Sequence, residues 1–405
     1  MSAGSTATGT TGTDDDGVVA RLTDRFDHHD PAFTPDVARA VHDRLRAAGG
    51  PVRTAAHGGM WVLARYPHVL DALRDHETFS SAHGVFFPRA TDQPRFAPLE
   101  YDPPEHTAFR ALMRPALAAS AVRAVAPRIA GLAADTVRPL VARGGADLVA
   151  ELTTTLPLAV LAETIGFSAR ARADILQLTR TTWATMARGG GFWPAFAALL
   201  DGEIARARRD DDGSYLAALV RERVDGHPLP DEDLRVMLVA FAIAGHETTM
   251  NTAGHLLLRL ARDHDLHARL AADPALRGAA VDETLRLDTP VDHGSRVTTR
   301  AVDVAGVELP AGARVVLAVG AANRDPDRFI EPDRFRLDRG AAAHLSLGQG
   351  IHYCLGAQLG RRQLVAVLDE IVAAPPMTLT GPVDRFYANG RHLNLGALPV
   401  RFGAA

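Results

Sequence analysis

Leu347-Gly348-Gln349-Gly350-Ile351-His352-Tyr353-Cys354-Leu355-Gly356 is the stretch from which this chain is best read, because it holds the only cysteine among 405 residues. A lone cysteine makes neither an internal disulfide nor a cysteine cluster around zinc. It is an inert buried thiol, a reactive thiol, or a single thiolate ligand to a metal that brings its other ligands with it. Gly348 and Gly350 let the backbone turn tightly and approach a flat object closely. A helical run from Ala357 to Val372 follows, so Cys354 sits at a helix N-terminus, where free N–H groups and the helix dipole favour a thiolate. His352 lies two residues before the sulfur and Gly356 two after it. That arrangement favours the metal-ligand reading over a bland core thiol.

Upstream, residues 231 to about 265 form the longest helical stretch, centred on Ala244-Gly245-His246-Glu247-Thr248-Thr249. An acid and a hydroxyl inside an apolar helix are costly unless used or paired. The plainer alternative is a threonine bonded back to its own helix. Glu283-Thr284-Leu285-Arg286 places Glu and Arg at i, i+3 on one helix face, a spacing most often explained by a surface ion pair. Asp102-Pro103-Pro104-Glu105 reads as a helix start, with Asp102 as N-cap and Glu105 completing a capping box. On that helix His106 and Arg110 share a face, either solvated or aimed at carboxylates.

The rest of the chain bounds the class. Apolar residues make up 47% of it, enough for a large core, and the formal charge of −4 argues against nucleic acid as the main partner. Residues 1–18 are mostly Ser, Thr, Gly and Asp; they read as a disordered tail and not a signal peptide. No run of 18 apolar residues exists; the best candidate, Val236 to Ala244, reads as a buried helix. A helix is expected at 35–48 and another at 66–74, with short strands at Val52-Arg53 and 61–64. Phe79 to Tyr101 is a long loop, and such loops inside compact chains are usually functional. Helix follows helix from 120 to 230. Val302 to Leu309 and Arg314 to Val319 read as strands, and residues 377–402 as short strands and turns. No linker or repeat divides residues 19–405, which are read as one domain. A soluble, cytoplasmic protein is expected.

Taken together, these motifs resemble the cytochrome P450 monooxygenases. The cysteine stretch resembles their haem-binding loop, Phe-Gly-x-Gly-x-His/Arg-x-Cys-x-Gly, and departs from it at Leu347, where the family has Phe. Residues 244–248 resemble the oxygen-binding segment Ala/Gly-Gly-x-Asp/Glu-Thr. Glu283 and Arg286 resemble the Glu-x-x-Arg pair, and Pro290-Val291 with Arg296 resembles Pro-Val-x-x-x-x-Arg. The four motifs occur in the family's order.

The resemblance implies a mainly α fold with a small β-rich region and haem b as cofactor. It implies Cys354 as the axial ligand, with Ala244, Gly348 and Gly356 beside the haem. His106, Arg110 and Arg296 are its propionate partners, and His352 of the cysteine loop also binds the cofactor. Gly245 leaves room for dioxygen, Thr248 supplies a hydroxyl and Glu247 relays protons to it. Glu283 and Arg286 are scaffolding, with Arg334 or Arg336 as third partner. The substrate pocket is expected from 83–87 (Phe86, Phe87), 188–193, Ala240, Ala244, Thr248, 291–294 (Val291, His293) and 387–390. The expected partners are a medium-sized, largely apolar or aromatic small molecule, O2, and a ferredoxin with its NAD(P)H-dependent reductase. The ferredoxin is expected to dock on Arg110, Arg114, Arg361 and Arg362 of a monomer. Secondary-metabolite tailoring is the implied setting. A peroxide-driven peroxygenase and a haem protein that binds ligands without turnover are the alternatives.

Overall fold

The computed structural model describes residues 12–87, 89, 92–187, 191–340 and 343–403. Helices dominate it, and the short strands gather into small sheets. The largest sheet has five strands, in the order Val52–Thr54, Met60–Leu63, Arg314–Leu317, Gly294–Thr298 and Phe79–Ser80. Its register pairs Arg296 with Val315 and Ser295 with Val316. That pairing fixes which face Arg296 occupies, because side chains alternate across a strand.

The main core lies where the Ala357–Ala373 helix, directly after the cysteine, crosses the Ala119–Ala142 and Glu247–Arg262 helices. Ile129, Ala133 and Val137 meet Leu364, Leu368 and Ile371, while Leu256, Leu257 and Leu260 close the other side. Burying each such leucine or isoleucine stabilises the fold by about 2 kcal/mol. At one crossing a Cβ on Gly360 would sit 3.7 Å from Thr249 Oγ1. The helix bearing the hydroxyl motif and the helix after the cysteine are therefore braced against each other.

Five readings of the sequence are corrected. Residues 12–18 are not a disordered tail: Gly12–Asp24 is a helix, with Val19 and Leu22 buried against the Pro35–Ala47 helix. Val18, Val19 and Leu22 lie at helical spacing and give the helix an apolar side, a short pattern hidden by the polar residues before it. The long helix from 231 is two, Asp231–Ala244 and Glu247–Arg262. Asp102 does not cap the next helix with its side chain, since Pro104 holds the N-cap position. Its carboxylate instead accepts from Ser80 Oγ and from Ser81 N, tying down the end of the Phe79–Ser80 strand. Val302–Val304 and Val307–Leu309 form a hairpin, because Ala305 and Gly306 turn the chain at φ 54° and 79°. Finally, Glu105–Ala142 is long and apolar enough on average to cross a membrane. It is two helices broken at Ala118 (ψ 152°), the second buried through Val122, Ile129, Val137 and Leu140.

Candidate active site

The cysteine loop is built by hydrogen bonds that close it on itself. Cys354 N donates to Leu347 O at 2.8 Å, and Gly348 N to Leu345 O at 2.8 Å. Gly350 has φ 65°, and a Cβ there would meet Leu73 O at 2.8 Å, so only glycine fits. Cys354 is partly exposed. Burial pushes its thiol up, while the N–H groups of Gly356 and Ala357 and the guanidiniums of Arg110 and Arg361 pull it down. Among the described residues no group of three or more His, Cys, Asp or Glu could hold a metal ion. A metal on Cys354 must therefore arrive with its other ligands.

Four cationic or potentially cationic side chains converge near this sulfur. The rings of His106 and His352 lie 4.7 Å apart. His352 Nε2 meets Ser81 Oγ at 3.1 Å; burial, with Arg296, His106 and Arg110 nearby, pushes the ring down to about 2. Arg110 donates to Tyr353 O at 2.7 Å. Arg296 donates only to Ser295 O among the described residues, and burial pushes it down to about 10 against the pull of Asp102. No carboxylate among the described residues forms an ion pair with any of the four. Buried Arg296 and half-buried Arg110, with two neutral imidazoles between them and no ion-paired carboxylate, stand beside one partly exposed thiol and fit a group that carries a metal and two carboxylates. That is the chemistry of haem, and the residues present fit it.

On the opposite side, the helix is interrupted at Gly245 and His246. A Cβ on Gly245 would meet Phe241 O at 2.7 Å and Leu161 Cδ1 at 3.0 Å. Ala244 is exposed although Phe241, Ala242 and Ile243 are buried, so open space lies on its side of the helix. Thr248 Oγ1 donates to Ala244 O at 3.0 Å, which is the back-bonding left open by the sequence. The same bond holds the hydroxyl at the edge of that space, where its lone pairs can accept. Glu247 is buried, and His246 Nε2 meets Thr154 O at 2.8 Å.

Glu283 and Arg286 are not a surface pair: they are 2% and 0% exposed. Arg286 Nε and Nη2 clasp the Glu283 carboxylate at 2.8 Å each. The third partner is Arg339, whose Nε reaches Glu283 at 2.9 Å. It is neither Arg334 nor Arg336, which contribute a carbonyl to Arg286 and a backbone N–H to Glu283. The side chains of Arg334 and Arg336 point instead to Glu331 and Asp338.

The expected pocket residues divide. Ala240, Ala244, Thr248 and Val291 are only partly buried or exposed, on segments around the open side. Phe86 packs on Phe96, with the Arg391 guanidinium 4.3 Å over its ring. Phe87 turns the other way, under Arg314 at 3.4 Å and edge-on to His57. His293 is 1% exposed and packs on Phe26 and His28. It belongs to a buried network in which Asp292 meets His42, His293 and Tyr387 at 3.2–3.3 Å. Burial pushes Asp292 up, but His42 and His293 outweigh it and hold the carboxyl well below its usual range. This network joins segments far apart in sequence, so it turns His293 away from the role the sequence suggested. Residues 188–190 lie outside the described residues. Gly191 and Trp193 meet Asp92, whose Oδ2 accepts from Trp193 N at 3.1 Å. Arg391 was missed by the sequence reading; its only signal was an Arg-His pair directly after Asn389-Gly390.

The Cytochrome P450 family model matches residues 275–374. Cytochrome P450 107B1 of Saccharopolyspora erythraea is 34% identical over 400 residues, covering 92% of this chain and 98% of that protein. The cyclomarin C epoxidase of Salinispora arenicola is 33% identical, covering 89% and 95%. A solved structure of a mutant of P450 EryK in complex with erythromycin B superposes with a TM-score of 0.81 at 30% identity, covering 91% of this chain and 97% of that one.

Proposed function

This chain belongs to the cytochrome P450 family of haem-thiolate monooxygenases, with haem b as cofactor, and on that premise we propose how its own residues divide the work. Residues 19–405 act as one haem domain. Cys354 is the axial ligand, and His106, Arg110, Arg296 and His352 hold the propionates. When bound, the haem supplies the activation of dioxygen that no side chain of the chain can supply. The observation that supports the assignment is the single thiol on a glycine-turned loop, with Arg110 and Arg296 nearby and neither ion-paired among the described residues.

Thr248 keeps its hydroxyl at the Ala244 carbonyl in the resting chain and turns it toward the oxygen-binding side during reduction. Glu247, one residue earlier and buried, passes protons to that hydroxyl. Gly245 and Ala244 keep the space beside them clear. Phe86, Ala240, Ala244 and Val291 border the substrate, a medium-sized molecule that is largely apolar or aromatic. The erythromycin and cyclomarin relatives support a place in secondary metabolism.

Electrons come from a ferredoxin and its NAD(P)H-dependent reductase, and the protein works as a cytoplasmic monomer. The docking patch narrows to Arg114 and Arg362, which are exposed. Arg110 and Arg361 are engaged with Tyr353 O and with Asp282.

The test has two parts. Cys354→Ala should lose the thiolate-type Soret position of the ferrous–CO complex; keeping it refutes the ligand. Oxygen uptake should require both reductant and substrate. Uptake replaced by turnover with peroxide alone would make the protein a peroxygenase, and binding without turnover a ligand-binding haem protein.

A further inference from the structure

Arg286, the other arginine among the largest fully buried side chains, is saturated with acceptors, whereas Arg391 is not. Arg391 is 1% exposed. Its Nη1 donates to Val85 O at 3.3 Å, while Nε and Nη2 have no hydrogen-bond partner among the described residues. Glu100, whose charge reaches it, is held by Arg89 at 2.9 Å and accepts from Val85 N and Phe96 N at 3.0 Å each. Burial accordingly pushes the Arg391 guanidinium down to about 9. An apolar side chain of similar size would be as stable or more stable at such a position. A cation kept there therefore points to an anion it meets in function.

The free edge indicates which anion. Elsewhere in this chain the Nε–Nη2 edge clasps carboxylates with two bonds: Arg286 on Glu283 at 2.8 Å twice, and Arg138 on Glu370 at 2.9 and 3.0 Å. On Arg391 that same edge is unpartnered, because the bond to Val85 uses Nη1. A planar anion with two oxygens matches two parallel N–H donors.

The position places Arg391 among the segments expected to border the pocket. Arg391 directly precedes the His392–Leu395 strand, and its carbonyl accepts from Asp292 N at 2.9 Å. Val291 pairs with His392 in that strand. Asn394 Oδ1 accepts from Asn251 Nδ2 at 2.7 Å, which ties the strand to the helix of Thr248. Phe86, on the pocket loop, covers the guanidinium at 4.3 Å. On the outer side of the same loop, Arg314 lies over Phe87, and an open groove is lined by Arg53, His57 and Arg314 with no acidic residue among its lining. Such a groove attracts anions. Arg391 is also separate from the propionate set: it acts on His28, His29, His293 and His392, whereas Arg296 acts on His352.

We infer that the substrate is a carboxylic acid, whose carboxylate displaces Phe86 and is clasped by Nε and Nη2 of Arg391 while its apolar body lies toward Ala244 and Thr248. This rests on reading that space as the substrate site of a monooxygenase. The probes are a panel of alkanoic and ω-phenylalkanoic acids, each paired with its methyl ester, titrated into the holoenzyme and followed by the Soret spin-state shift. The tightest acids should bind about tenfold to a hundredfold more tightly than their esters. Arg391→Met should abolish that difference, keep full haem content and melt no lower than the parent. Arg391→Lys should keep part of the difference, as a point charge without the planar clasp. Esters that bind as well as acids overturn this inference and leave the apolar pocket standing. Shifts with neither form overturn both. A preference that survives Arg391→Met, or haem loss in that variant, also overturns the assignment.

Discussion

Replacing Arg286 by methionine tests whether the Glu283 pair is buried scaffolding or ordinary surface charge. Arg286 makes five hydrogen bonds: two to Glu283, and one each to the carbonyls of Asn323, Pro332 and Arg334. The variant leaves three buried carbonyls without this donor and leaves Glu283 with only Arg339 and the Arg336 N–H. Breaking a buried pair from one side costs about 3–5 kcal/mol, against about 0–1 kcal/mol for an exposed pair. Unfolding entropy of roughly 2.1 cal/mol/K per residue gives about 0.85 kcal/mol/K over 405 residues, so a loss of about 4 kcal/mol lowers the melting temperature by about 5 °C. The damage should also reach the cofactor. Asn323 holds Leu345 N at 2.7 Å and Ser346 Oγ at 2.8 Å, directly before the cysteine loop. Calorimetry and haem-to-protein ratio should therefore fall together. A melting temperature within about 1 °C of the parent, with full haem content, refutes the buried-scaffold argument.

Thr248→Ala should still bind haem but release more hydrogen peroxide per reductant consumed, with product yield falling about tenfold or more by the scale of a lost proton-transfer group; unchanged coupling refutes the proton role. Arg114→Glu with Arg362→Glu should slow reduction by a ferredoxin and flatten its salt dependence, without changing substrate affinity. An unaffected rate moves the docking patch elsewhere. Asp288 is buried, which pushes its carboxyl up, but His255, Arg259 and Arg385 outweigh this and hold it at about 2 against an ordinary 3.8. Its folded pKa is depressed, so its contribution of about 2 kcal/mol is complete above the unfolded pKa and is lost as pH falls toward about 2. Stability measured between about pH 5 and 2 should therefore fall more steeply in the parent than in Asp288→Asn; parallel acid limbs refute the shift.

The parts of the site legible in the sequence are those whose chemistry is local. Cys354 with its glycines, Thr248 with Glu247, and Glu283 with Arg286 each lie within one turn or loop. Their residue types are costly unless used, so they stand out. The illegible parts are meetings of distant segments. Arg339 reaches Glu283 across 56 positions, and Asp292 takes His42 as a partner from 250 positions away. Spacing in the sequence cannot rank Arg339 above Arg334 or Arg336, because only the path of the intervening chain decides which guanidinium arrives. The break at Gly245 and His246 was hidden for another reason: both flanks read as helix, and no proline or glycine pair marks the point where one ends and the next begins.

The long reach of these meetings sets the order in which the protein can be completed. His42 finds Asp292, and Arg46 donates to Ala321 O at 2.8 Å, across 275 positions. Tyr387 joins the same carboxylate from near the other end of the chain. Synthesis at roughly 5–20 residues per second therefore leaves His42 and Arg46 of the Pro35–Ala47 helix without these distant partners for about 15–50 s. During that wait Val41 and Leu45 can pack on Val19, Leu22, Phe26 and Met60, but the side of their core built by Val316, Ala318 and Ala321 is still missing. The first helices made pack on each other early but are completed late. Nascent chains should accordingly be open to chaperones at their N-terminus until the final hairpin emerges.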